Sequence, residues 1–441
     1  MAVKSENKDI CMMQKLSDYI EQSVTPYHTV VAVREQLKKA GYTELTMNEA
    51  WPKLAKGAGY FVDVFGSACV AFYVGEEFEN AGILRIITAH TDSPCLKIKT
   101  SPVRKNSDGS LSLNTEIYGG PILNTWLDRP LSVAGRVMLR TEDAFVPKSV
   151  LVDLKKSIAT IPNLAIHMNR EVNKGVELNR QTDMLPYLGL VAMDGENITE
   201  NYLLGFIAKN LQVEKEDILS YDLYVYNNDK PEVCGIEDTL FSAPRIDNIS
   251  SVAAGVEALV AAEHDKKGIQ MLAIWDNEEV GSQTKQGGDS QTLSVILERI
   301  YLALSADREE YLNAVCKAVA LSADVAHAQH PNRPEKSDIT NHVYLNKGVV
   351  FKLSGTQKYA TDAETLAIVK QLCESNDIPY QVFANRSDNP GGSTIGSLMS
   401  SNLPIRTVDV GIPLLAMHSA RELAGTADQS AIYRLMKVFF E

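Results

Sequence analysis

Four short, nearly continuous apolar runs, each followed by His, Asp or Glu, constrain this chain more than any other feature. They span residues 83–89 (ILRIITA), 270–275 (QMLAIW), 318–323 (AVALSA) and, more loosely, 405–410 (IRTVDV). A strand with one wet face alternates apolar and polar residues. A run without that alternation suits a strand covered on both faces, as in a largely parallel sheet. Helical patterns lie between the runs, at 250–264 and 362–375 for example, so the chain reads as an α/β sandwich. His90-Thr91-Asp92 follows the first run and Asp276-Asn277-Glu278-Glu279 the second. Asp324 follows the third, with His327 and His330 close behind, and His418 comes shortly after the fourth. Open α/β sheets bind ligands beyond the carboxyl ends of their strands. One sheet edge is therefore expected to collect these side chains.

Residues 100–234 break the pattern. They carry short alternating strands (110–113, 131–139), turn signals at Asp108-Gly109 and Gly119-Gly120-Pro121, and few metal-ligating side chains. The expectation is a discontinuous catalytic domain, residues 1–99 and 235–441, carrying an inserted β-rich domain, residues 100–234. Residues 13–41 read as two helices broken at Thr25-Pro26, with Gly41 as the stop.

A formal net charge of -13 argues against nucleic acid as a partner, because phosphate binding needs clustered Lys and Arg. The first fifteen residues lack the apolar core of a signal peptide, and no run is long enough to cross a bilayer. The six cysteines form no CxxC pair, which suits idle thiols in a reducing compartment. A cytoplasmic protein without membrane association is expected.

Hydrolysing a peptide bond at neutral pH requires a strong nucleophile and a stabilised oxyanion. Two metal ions sharing a bridging carboxylate supply both. The strand ends offer His90, Glu279, Asp324 and His418 as ligands, and the turn at Asp247 adds a fifth. Asp92 and Glu278 are spare carboxylates beside them. One suits orientation of a ligand histidine, the other a general base. Taken singly, each feature is ordinary: a turn Asp is more often a cap, and paired glutamates are usually a solvated face. Their joint arrangement after four buried strands is not.

Five ordered motifs carry a resemblance over nearly the whole chain. They are His90-Thr91-Asp92-Ser93-Pro94, Ser242-Ala243-Pro244-Arg245-Ile246-Asp247-Asn248, Asp276-Asn277-Glu278-Glu279-Val280-Gly281-Ser282, the stretch from Ser322 through Asp324 and His327 to Pro331, and Ala416-Met417-His418-Ser419-Ala420-Arg421-Glu422. Together they resemble the M18 metallopeptidases, the aspartyl aminopeptidases. The resemblance implies a mixed-sheet α/β/α peptidase domain with an inserted β-rich dimerisation domain. It implies two Zn2+ per subunit, with Co2+ or Mn2+ as substitutes. His90 and Asp324 hold one ion, Glu279 and His418 the other, and Asp247 bridges. Glu278 is then the general base, Asp92 orients His90, and His327 contacts the substrate carbonyl. Lys352 resembles the family lysine that meets an acidic substrate side chain, and Tyr359 a pocket tyrosine. His167 resembles the histidine that a neighbouring subunit supplies to the active site. Short peptides are the implied substrates, Asp before Glu at the N-terminus, and the implied assembly is a homo-oligomer, a dodecamer built from dimers. A cis peptide bond after Asp247 is also implied.

Two other readings stay open at the level of sequence. One is a related metallohydrolase on the same scaffold, such as a deacetylase or a broad-specificity aminopeptidase. The other is an inactive scaffold or cargo protein derived from the family. Retention of Glu278 and all five ligand candidates weighs against the second.

Overall fold

A computed structural model describes residues 2–190, 202–389 and 391–441 and divides the chain into two compact units. The first comprises Met1–Asp92, Pro231–Met417 and Glu422–Glu441, and the second Ser93–Lys230 and His418–Arg421.

The first unit is built on a nine-stranded mixed sheet. In chain order its strands are β1 (Thr43–Leu45), β2 (Ala58–Val64), β3 (Ala68–Val74), β4 (Leu84–His90), β5 (Ile269–Trp275), β6 (Val319–Ala323), β7 (Val349–Leu353), β8 (Tyr380–Ala384) and β9 (Arg406–Gly411). They lie in the order β1-β2-β3-β5-β4-β6-β9-β7-β8. The four apolar runs are its parallel centre, β5-β4-β6-β9, and every residue of β5 and β6 is buried. Ile269, Met271, Ala273 and Trp275 enter one core, whereas Leu272 and Ile274 enter the other. With both faces apolar, alternation cannot set the register of β5. Parallel pairing with β4 sets it, with Trp275 opposite His90. That register brings the polar residues after both strands to the same edge.

Helices cover both faces. Pro26–Lys39, Ile246–Ala261, Ala363–Ser375 and Thr426–Phe440 pack into one core, joined by Leu16 and Ile20 of the helix Ala2–Gln22. Thr292–Ala303, Arg308–Lys317 and Ile395–Asn402 pack into the other. Local chemistry fixes their ends. Pro26 opens its helix where a missing N–H costs nothing, and Gly41 follows with φ 86°. Asp362 with Thr365, and Asp307 with Glu310, form reciprocal caps. A small five-stranded sheet completes the unit: Glu232–Cys234, Leu240–Ala243, Glu422–Gly425, Pro413–Leu415 and Ala326–His327.

The second unit is an antiparallel six-stranded sheet, in the order Lys148–Asp153, Leu131–Leu139, Ile218–Asn227, Cys95–Lys105, Leu111–Tyr118 and Tyr187–Gly189. Leu96, Ile98, Leu111, Leu113, Leu131, Val133, Leu223 and Val225 form its core with Leu203 and Ile207 of the helix Tyr202–Leu211. The turn at Asp108-Gly109 closes as its residues suggest: Gly109 has φ 83°, and the Ser110 N–H donates to Asp108 Oδ1 at 3.0 Å. Both unit boundaries fall a few residues before the expected 99/100 and 234/235. Cys95–Lys105 already pairs into the second sheet, and Glu232–Cys234 pairs into the small sheet of the first unit. The four residues His418–Arg421, expected in the catalytic domain, group instead with the second unit, where Asn227 Nδ2 donates to the Ala420 carbonyl at 2.8 Å. No helix among the described residues is long and apolar enough to cross a membrane.

Candidate metal centre

His90 ends β4 and is buried. Its Nδ1 lies 3.0 Å from the Asp92 carbonyl oxygen and 3.4 Å from Asp92 Oδ1. Those acceptors suit a proton on Nδ1 and leave Nε2 as the donor nitrogen for an ion. Nε2 in turn lies 3.3 Å from Asp247 Oδ1 and 3.6 Å from Asp324 Oδ1. One donor atom each from His90, Asp247 and Glu279 lie within 4.8 Å of one another. An imidazole nitrogen and carboxylate oxygens at that spacing fit a divalent ion of the zinc type. Burial alone would lower the His90 pKa, but Asp247, Asp324 and Asp92 override it and hold it well above the usual histidine value. A divalent ion competes with that proton for the same nitrogen.

Asp247 sits in a locally irregular segment. Arg245, just before the helix Ile246–Ala261, adopts a left-handed φ of 58°. Asp247 and Asn248 are non-helical inside that helix, and the peptide bond between them is cis. The segment is pinned at both sides. The Asp247 N–H donates to Glu422 Oε2 at 3.0 Å, and Asn248 Nδ2 donates to the Ala323 carbonyl at 2.8 Å. Ala323 ends β6, so one hydrogen bond ties the Asp247 turn to the strand that delivers Asp324.

Glu278 and Glu279 lie in a 3₁₀ turn, Glu278–Val280, entered through Asn277 at φ 63°. Asp92 anchors the turn: its Oδ1 accepts the Glu278 N–H at 3.1 Å and its Oδ2 the Glu279 N–H at 3.2 Å. Asp92 therefore touches the histidine and holds the two-glutamate turn at once. Burial, partly opposed by His90 and reinforced by Asp324, Asp92 and Asp247, pushes the Glu278 carboxyl up to about 8. A carboxyl raised into this range can accept and release a proton near neutral pH. Asp276 is buried beside it, and burial and then Asp92 push it up to about 7.

Lys352 is a strand residue on β7 and is 2 % exposed. Its Nζ donates to the Val325 carbonyl at 3.1 Å, lies 3.5 Å from Asp324 Oδ2, and stands 5.2 Å from the centre of the Tyr359 ring. Burial disfavours its charge, but Asp324, Tyr359, Asp409 and Asp247 outweigh it and raise its pKa. Asp324 thus turns one oxygen to His90 and the other to this lysine. Tyr359 is buried and meets Phe383 edge-on, with 6.4 Å between ring centres. His327 is exposed at the end of its short strand, with its ring 6.0 Å from that of Phe383.

The remaining two residues lie in the second unit. His418 has φ 67° and its Nδ1 is 3.1 Å from the Gly120 carbonyl oxygen. His167 is exposed on a turn whose neighbours Leu164, Ile166 and Met168 are also exposed. Glu422 and Asp409 are further buried carboxylates of the first unit, and both bear on the site. Glu422 closes the motif that begins at Ala416, and Asp409 interrupts an apolar strand; those positions are the sequence signals for the two acids.

A family model described as aminopeptidase I zinc metalloprotease (M18) matches residues 19–440. A probable M18 family aminopeptidase 2 of Clostridium novyi is 47% identical over 427 residues, covering 97% of each chain. Its counterpart in Clostridium acetobutylicum is 44% identical, covering 97% of this chain and 98% of that one. Among solved structures, the cryo-EM structure of the Ape4 and Nbr1 complex aligns with a TM-score of 0.92 at 31% identity, covering all of this chain and 86% of that one. An S. cerevisiae mApe1 dodecamer aligns with a TM-score of 0.86 at 26% identity, covering 99% and 97%. A match of this breadth, at this identity, joins the divalent-ion donor set to a known chemistry: the chain belongs to the M18 family of metallopeptidases and is an aminopeptidase.

Proposed function

We propose that this enzyme is a two-metal aminopeptidase that removes N-terminal Asp, and after it Glu, from short peptides. The observation that carries the reading is Lys352, a 2 %-exposed lysine whose ammonium stands 3.5 Å from Asp324 and faces Tyr359. A buried cation beside a hydrolytic centre provides for a substrate carboxylate what a neutral side chain does not need. In this reading His90, Asp324, Asp247 and Glu279 hold a pair of divalent ions, zinc in the cell and Co2+ or Mn2+ as substitutes. Asp247 would serve both, and family resemblance adds His418 as a residue that would complete the set. When bound, the ions supply a Lewis acid for the scissile carbonyl and acidify the attacking water.

The chain's own residues do the rest. The Glu278 carboxylate takes the proton of the attacking water and returns it to the leaving amine. Asp92 holds His90 and the glutamate turn in register. In the same reading His327 meets the substrate carbonyl, and Lys352 with Tyr359 receives the acidic side chain. The enzyme is read as cytoplasmic, in keeping with six cysteines that form no disulfide among the described residues. It is also read as a homo-oligomer like the mApe1 dodecamer, with the second unit as the dimerising arm. The exposed Leu164, Ile166 and Met168 around His167 support that role, because such a cluster is commonly covered by a partner.

The test is a panel of Asp-, Glu-, Ala-, Leu- and Lys-anilides on metal-stripped protein with and without Zn2+ or Co2+. Asp should turn over fastest, then Glu, and only after metal is restored. Faster turnover of Leu or Lys would overturn the acidic preference, and turnover without metal would overturn the mechanism.

A further inference from the structure

Asp409 stands directly opposite Lys352 in the antiparallel pairing of β9 with β7. Opposed residues of antiparallel neighbours project from the same face. The carboxylate is completely buried, and isolated burial of such a charge costs several kcal/mol unless partners compensate. Its partners come from three places. The Ala360 N–H, next to Tyr359, donates to Oδ2 at 2.6 Å. The hydroxyl of Thr394, the residue before the helix Ile395–Asn402, donates to Oδ1, and the Ser322 side chain on β6 also bonds to the carboxylate. The fit is tight. A Cβ at Gly396 would stand 2.7 and 2.8 Å from the two carboxylate oxygens and 2.8 Å from Ser322 Cβ, so no larger residue fits at 396 without displacing Asp409.

Val408 and Val410 point to the opposite face of the strand and fill the core in the ordinary way, which leaves Asp409 on the Lys352 face. Its oxygens instead tie the turn of Tyr359 and the start of the helix Ile395–Asn402 to the strand beside Lys352. We propose that Asp409 is a positioning residue for selectivity: its carboxylate ties the Tyr359 and Thr394 segments to the strand beside Lys352 and sets a negative charge across from that lysine, in the arrangement that receives an acidic substrate side chain. This rests on the acidic preference proposed above. Asn at this position keeps the shape but sets an NH2 group against donors, which breaks one of the ties and removes the charge opposite Lys352.

The experiment compares metal-loaded wild type, Asp409→Asn, Thr394→Val, Lys352→Met and the Asp409→Asn/Lys352→Met double variant on Asp- and Ala-anilides, with metal content measured for each. For Asp409→Asn, KM for the Asp substrate should rise about tenfold with kcat within about twofold, and kcat/KM for the Ala substrate should stay within about twofold. Thr394→Val, which keeps the charge and removes one donor, should move the same KM about threefold and serves if Asp409→Asn does not fold. In the Lys352→Met background, Asp409→Asn should cost the Asp substrate less than it does in wild type, since the lysine it helps to position is gone. Equal losses on both substrates, loss of metal, or additive losses in the double variant would overturn the proposal. A wild type that does not prefer Asp over Ala would overturn the acidic reading and this proposal with it. A wild type that does, combined with any of those three results, would overturn the role of Asp409 alone.

Discussion

Asp92→Ala isolates what a single buried carboxylate contributes to the metal centre. Asp92 is 1 % exposed, and its two oxygens accept the Glu278 and Glu279 amides at 3.1 and 3.2 Å. Each hydrogen bond to a charged acceptor contributes about 1.5–3 kcal/mol, so the two together hold the turn by about 3–6 kcal/mol. One effect opposes this. Asp276, pushed up first by burial and then by Asp92, loses a repulsive neighbour, a relief on the order of 1 kcal/mol. The hydrogen bonds win, and the turn should loosen by about 2–5 kcal/mol. At about 1.4 kcal/mol per factor of ten, amide exchange across residues 277–281 should quicken at least about thirtyfold in the metal-free protein, while strand β5 is unchanged. His90 also loses the carboxylate 3.4 Å from its Nδ1, and metal affinity, read by chelator competition, should fall about 10–100-fold. Exchange within about threefold of wild type at residues 277–281 would refute the anchoring role, because among the described residues it is Asp92 that accepts both amides.

Glu278→Gln should lower kcat by about 10²–10⁴ with both metals retained by elemental analysis; near-normal turnover would remove Glu278 as the base. Lys352→Met should lower kcat/KM about 30–1,000-fold for N-terminal Asp and Glu but only a few-fold for Ala, and parallel losses would mean the lysine serves Asp324 alone. Mixing inactive His167→Ala subunits with inactive Glu278→Gln subunits should restore activity, since a mixed dimer has one site with both groups intact; proven subunit exchange without recovery would take His167 out of the mechanism. His264, stacked on Tyr73 at 3.8 Å, is lowered by burial from 6.5 to about 4. Its unfolded form binds a proton between those values and its folded form does not, so its contribution is complete above pH 6.5 and is lost as pH falls toward 4. Discounted for its partial exposure, the loss is on the order of 1–2 kcal/mol, and His264→Phe should flatten urea midpoints across that pH window.

Most of the first unit could be read from the sequence because its strands are buried on both faces. A run such as QMLAIW needs no alternation to betray itself, and the expected strand at 270–275 differs from the observed Ile269–Trp275 by one residue. The edge that collects the polar side chains followed from that alone: parallel neighbours end together, so His90 meets the residues after Trp275. Lys352 was harder. A lysine in a short strand is ordinarily exposed, and only the crossing of β9 beside β7 encloses it. Glu422 and Asp409 were legible least of all. Each acts on a partner whose nearness depends on the order of strands rather than on spacing along the chain. Glu422 lies 175 residues from the amide of Asp247 that it accepts. Asp409 opposes Lys352 only because β9 is inserted between β6 and β7.

That difference has a physical basis that bears on specificity. Donor atoms for a metal come from residues at strand ends, where the sheet itself enforces convergence, and sequence motifs record them. The proposed acidic pocket would be held by charges in the body of the sheet, the buried Lys352 and Asp409 and the part-buried Asp324, on three strands, or just past their ends, that are adjacent only in space. A buried lysine with one carboxylate beside it and a second on the neighbouring strand can stay charged without water, which the first alone would not guarantee if a metal ion shared it. On this argument the metal site and the selectivity site are joined through Asp324, with one oxygen toward His90 and the other toward Lys352. Substitutions at Lys352 or Asp409 that alter the preferred N-terminal residue should therefore be sensitive to which divalent ion is bound. Substitutions at Tyr359, which meets the lysine only through its ring face, should not.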